Sequence, residues 1–177
     1  ALASGTSAGE HAGQWVADRK FSTATALEAA LDDAQADVSA MMESDEATHV
    51  VRCGTVMANL HAALAATSSF SSYSMANLQS KLEQLNITAE SLHLDQHSLI
   101  ANTNLLEVLR TQAAVRMVLA SVQSGQAREE SRGSFKREDF PESNDAFLHH
   151  LTVDREGTIG TLAIKKGAGG HWVLPPQ

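Results

Sequence analysis

Proline placement constrains this chain more than any other feature. Its three prolines, Pro141, Pro175 and Pro176, all lie beyond residue 140. Proline removes an amide donor and clashes with the preceding helical turn. Its absence, with alanine dense up to about residue 127 and thin afterwards, predicts a helical first three quarters. The opening Ser4–Asp18 stretch is rich in glycine and small residues, which let a helix lie close to a sheet or a ligand. Ser22 or Thr23 can cap a helix running to Met42, with Leu27, Leu31 and Val38 on one side. Acidic residues 43–46 interrupt it. A second helix is expected over Ala47–Ala66 through Val50, Met57, Leu60 and Leu64. After a serine-rich loop, a third is expected over Ser74–Leu85 through Met75, Leu78 and Leu82.

The strongest pattern follows. Asn102 or Asn104 can cap a helix carrying Leu105, Val108, Leu109, Val115, Leu119 and Val122, with Gly125 as its stop. Helices of this kind predict a mainly α fold, an up-and-down bundle of three to four helices. Beyond Gly133 the pattern changes. Thr152–Ile164 reads as a β-hairpin turning at Arg155–Gly157, giving a small C-terminal β-hairpin region. The chain therefore divides into an opening helix (1–20), a helical bundle (21–127) and a loop-plus-hairpin region (128–177).

Charge and composition exclude several functions. With 13 Lys+Arg against 21 Asp+Glu, net −8, the chain lacks the cationic surface that nucleic acid demands. No window approaches about 18 consecutive apolar residues, so no membrane span is predicted. The single cysteine, Cys53, excludes an internal disulfide and any multi-cysteine metal site; the expected reading is a small buried residue on a helix. His93 and His97 are four apart, but they fall between helices without a third ligand, so solvent-facing loop histidines are expected rather than a metal site. His149 and His150, as neighbours on a strand, point to opposite faces. Gly5 and Gly9 lack the lysine of a phosphate-binding loop. The segment Arg128–Asp145 alternates acids and guanidinium groups around Ser131-Arg132-Gly133. It reads either as a solvated charged linker or as an Arg–carboxylate network pinning an irregular loop.

That segment carries a resemblance. Glu130-Ser131-Arg132-Gly133, then Arg137-Glu138-Asp139-Phe140-Pro141 and Asp145, resembles the C-terminal signature of succinate dehydrogenase/fumarate reductase flavoprotein subunits. Phe147–Thr152 is similar to the family's Trp-Leu-Lys-His-Thr stretch, and Val50–Leu60 and Asn102–Leu109 are similar to two of its helices. Gly5-Thr6-Ser7-Ala8-Gly9 resembles the motif opening the helix that closes the flavin domain. Phe135 stands where the family has His, Ser143 where it has Arg, and Thr6 where it has Arg.

The resemblance implies the C-terminal part of a split succinate dehydrogenase (complex II) flavoprotein subunit. It would scaffold an N-terminal flavoprotein half that carries FAD and the catalytic residues, beside an iron–sulfur subunit. This chain would contribute no catalytic or metal-ligating residue and hold no cofactor alone. Ala1, Leu2, Ser4 and Gly5 are the expected FAD-proximal residues. Glu130, Ser131, Arg132, Gly133, Arg137, Asp139 and Asp145 are the expected interface network. The opening at Ala1 implies that the first helix completes another chain's fold. The implied location is the matrix side of the mitochondrial inner membrane, or the cytoplasmic face of a bacterial membrane, reached only through other subunits. The competing expectation is a structural subunit descended from such a flavoprotein that no longer touches flavin or substrate.

Overall fold

The computed structural model describes residues 2–17, 19–20, 23–43 and 51–164. The expected cofactor residue Ala1 and the Gly167–Gly170 and Pro175–Pro176 breaks lie outside them. Five helices and one hairpin follow in order: α1 (Leu2–Ala17), α2 (Ala24–Met42), α3 (Cys53–Ala65), α4 (Ser72–Glu90), α5 (Thr103–Ala127), β1 (His149–Val153) and β2 (Ile159–Ala163). The fold is mainly α, as the proline placement requires. It separates into two compact units, 1–43 and 44–177.

In the first unit, Thr23 caps α2 by accepting a hydrogen bond from the Ala26 amide. The predicted stripe forms on a helix, but Leu27 and Leu31 are 61% and 56% exposed.

The second unit has its own core. α3 contributes Val56, Leu60 and Ala63, α4 contributes Met75, Leu78 and Leu82, and α5 contributes Val108, Val115 and Val122. The α5 set recurs every seventh residue, which keeps one narrow stripe against α4 and α3. Three boundaries differ from the sequence expectation, each for a tertiary reason. α3 starts at Cys53, because Val51 pairs with Leu92 and its carbonyl accepts the His93 amide; the expected opening at Ala47–Val50 lies outside the described residues. Its buried face then runs through Val56, Leu60 and Ala63, leaving Leu64 38% exposed. α4 continues past Leu85 to Glu90, where the buried Gln112 donates to the Ala89 carbonyl at 2.9 Å. α5 passes through Gly125, which lies against Met75 and the Phe135 ring.

The hairpin is antiparallel, pairing His149 with Ala163 and Val153 with Ile159. Its turn uses Gly157 at φ +84°, a conformation glycine adopts without steric cost. Asp154 accepts the Glu156 and Thr158 amides and closes the turn.

Candidate functional site

The charged segment after α5 folds into a network of two linked centres. The first is Glu130, a carboxylate with no exposed surface. Its Oε1 accepts from Arg128 Nη1 at 2.6 Å and Arg132 Nε at 3.1 Å. Its Oε2 accepts from Arg132 Nε at 3.0 Å and from the Asn144 amide at 2.9 Å. Burial by itself pushes the Glu130 carboxyl up, but the hydrogen bonds from Arg132, Asn144 and Arg128 prevail and bring it down to about 2. A carboxylate that accepts several charged or amide donors stays ionised even when dry.

Arg128 extends this centre to the hairpin, donating to the Phe147 carbonyl at 2.9 Å and to the His149 carbonyl at 2.7 Å. Arg132 reaches the Asn144 carbonyl and lies 3.7 Å from Asp145, which is 90% exposed. The Glu130 hydrogen bond is the first cause that raises the Arg132 pKa.

The second centre is Arg137, 2% exposed. Its Nη1 donates to the carbonyls of Gly125, Gln126 and Arg128, at the C-terminal end of α5 and its cap. Its Nε and Nη2 form a fork on Asp139 at 2.8 and 2.7 Å. Asp139 in turn accepts the Ser72 amide at 2.7 Å and the Ser72 hydroxyl at 2.6 Å, at the start of α4. The ion pair thus puts its cation on one helix C-terminus and its anion on another N-terminus, the favourable sense for both helix dipoles. The Arg137 fork, followed by the Ser72 donors, holds the Asp139 carboxyl well below the usual carboxylate range.

Ser131 joins the centres. Its hydroxyl donates to the Phe140 carbonyl at 2.7 Å and accepts the Arg137 amide at 2.8 Å. Gly133, at φ +59°, lets Arg132 and Phe135 exchange backbone hydrogen bonds across a tight turn. Phe135 stacks on Phe70, with ring centroids 5.9 Å apart.

The structure therefore brings Glu130, Ser131, Arg132, Gly133, Arg137 and Asp139 together, with Asp145 at the solvent edge. Sequence reasoning did not single out Arg128, Asn144 or Ser72. Arg128 was signalled by its spacing of two from Glu130; Ser72 is 67 residues from Asp139 and carried no local signal. Beside the network lies a cleft of about 490 Å³ lined by Ser124, Arg128, Phe135, Phe147, His149 and Leu151. His149 is half-buried against Phe147, while His150 is exposed.

The remaining candidates fall elsewhere. Leu2, Ser4 and Gly5 lie in the opening turns of α1. Cys53 is buried at the start of α3, and burial pushes its thiol up. His93 pairs with Asp95 at 3.1 Å, alongside Arg52 at 2.7 Å. Among the described residues, no three His, Cys, Asp or Glu gather as a metal site, and no helix is long and apolar enough to cross a membrane.

Residues 67–167 match the family described as fumarate reductase flavoprotein C-term. A fumarate reductase flavoprotein subunit of Mycobacterium tuberculosis is 44% identical over 72 residues, 40% of this chain and 12% of that protein. A succinate dehydrogenase flavoprotein subunit of Rickettsia felis is 36% identical over 73 residues, again 40% and 12%. A solved E. coli quinol fumarate reductase chain superposes with TM-score 0.74 at 22% identity, covering 96% of this chain and 29% of that one. A quinol–fumarate reductase solved with menaquinol gives 0.75 at 22%, over 96% and 30%. The chain thus matches only a minor part of each relative's length.

Proposed function

Because the chain belongs to the fumarate reductase flavoprotein C-terminal family, we propose that it is the C-terminal part of a succinate dehydrogenase or fumarate reductase flavoprotein subunit. It scaffolds an FAD-bearing N-terminal part within a complex that includes an iron–sulfur subunit. The observation that carries this reading is the buried Glu130 centre, which locks α5, the signature loop and the hairpin into one body. Arg128, Arg132 and Arg137 direct their donors at carboxylates and carbonyls of this chain. That arrangement suits a rigid support.

FAD on that N-terminal part would accept hydride from succinate and pass electrons to iron–sulfur centres and quinone. Leu2, Ser4 and Gly5, at the start of α1, are the residues of this chain that we place nearest to it. We place the complex peripherally, at the matrix side of the mitochondrial inner membrane or the cytoplasmic face of a bacterial one.

Arg132→Ala tests the scaffold. Copurification with the FAD-bearing part and the flavin content of the complex should both fall, while the substrate KM of the remaining complex should stay within about twofold. Unchanged copurification and flavin content would overturn the reading.

One observation favours a second reading, a structural subunit that no longer borders flavin. Phe135, where the family has a polar histidine, is spent on packing against Phe70. Introducing a quencher through Gly5→Trp separates the two. Quenched flavin fluorescence in the assembled complex supports the first reading, and unchanged fluorescence supports the second.

A further inference from the structure

α2 has a feature that the network does not use. On a helical wheel of 100° per residue, Leu27, Leu31, Ala34 and Val38 fall on one narrow stripe with the four-three spacing of an interhelical seam. Glu28 flanks the stripe on one side and Asp37 on the other, while Asp32 and Asp33 lie behind; no Lys or Arg occurs in the helix. α2 has no buried residue, and Leu27 and Leu31 are more than half exposed. It also lies outside the residues 67–167 that define the family match.

We infer that α2 is a docking helix whose acid-walled apolar stripe seats against an apolar helix face of another polypeptide, flanked by Lys or Arg. Charge selects this occupant. A second copy would set acid against acid along both flanks, the arrangement that weakens interhelical pairing. An anionic lipid surface would repel the same side chains. A basic-flanked helix satisfies the stripe and the walls together, with the charges setting partner choice and encounter rate. The inference rests on the residues of α2 and not on the functional assignment above.

The test uses the full chain and two synthetic helical peptides of about three heptads with Leu and Val at the seam. One peptide carries Lys at the flanking positions and the other Glu. Binding is read by fluorescence anisotropy, and circular dichroism checks that each protein variant keeps its helix content. The Lys peptide should bind and weaken roughly tenfold from about 50 to about 500 mM salt. Leu31→Asp should weaken it at least about tenfold by placing a charge in the seam. Glu28→Lys with Asp37→Lys, which leaves the stripe intact, should transfer preference to the Glu peptide. Equal binding of both peptides, or unaltered binding by Leu31→Asp, would overturn the proposal. So would a dimer of the chain that strengthens with salt and dissolves on Leu31→Asp, since the occupant would then be a second copy.

Discussion

A carboxylate shut away from solvent is stable only while its donors stay in place, which makes Glu130 the most sensitive residue of the network. Its folded pKa of about 2 lies below the ordinary value of 4.5. The unfolded chain therefore takes up a proton first as pH falls. The stabilisation is complete above about pH 4.5 and is lost as pH drops toward 2, with a magnitude on the order of 3 kcal/mol. Asp139, also held low, acts in the same direction. Urea titrations between pH 7 and pH 2.5 should show this loss for the native chain, and Glu130→Gln should flatten it. At neutral pH the same substitution should cost about 3–5 kcal/mol, because it leaves Arg128 and Arg132 facing a neutral amide in a buried site. A cost below about 1 kcal/mol would mean that the centre is solvated. The alternating charges of the signature were readable in the sequence. Their burial was not, because a solvated linker and an enclosed network can share one composition.

The same limit operates on elements. Periodicity located α4 and α5 and narrowed two N-caps to a pair of residues each, of which Thr23 and Asn102 do the capping, since those depend on neighbours in sequence. Boundaries set by distant partners were not readable. Gly125 is an ordinary helix stop, yet α5 runs on to Ala127 with Arg137 bonding the Gly125 and Gln126 carbonyls. Arg137 thereby ties the end of α5 to the start of α4 through Asp139 and Ser72. Lysine keeps the charge but lacks the planar fork. Arg137→Lys should cost roughly 2–4 kcal/mol through orphaned carbonyls and a weakened Asp139 contact. A double-mutant cycle with Asp139→Asn should return a coupling of about 1–3 kcal/mol. Additive effects would show that the two residues act on their helices separately.

At the scale of the whole molecule, the buried hydrophobic residues among those described all lie between Cys53 and Val122. They come from α3, α4, α5 and the loop between α4 and α5, and the network closes over the α4–α5 end from residues 128–145. No buried residue of that core comes from α2, nor from the part of α1 whose burial is described. Stability should therefore reside in residues 44–177. Burial of apolar area and satisfied polar groups drives cooperative folding, and exposed helices add little beyond their intrinsic propensity. A chain lacking residues 1–43 should keep a single cooperative calorimetric transition with Tm within about 2–4 °C of the full chain, the shift expected for less than about 1 kcal/mol. Its far-ultraviolet helical signal should drop by the share of α1 and α2. In the scaffold reading, that truncated chain should also lose association with the FAD-bearing part, because the residues placed nearest the cofactor leave with it. Loss of the transition itself would show that the first 43 residues help to fold the core, and the division between a folding unit and a docking unit would fail.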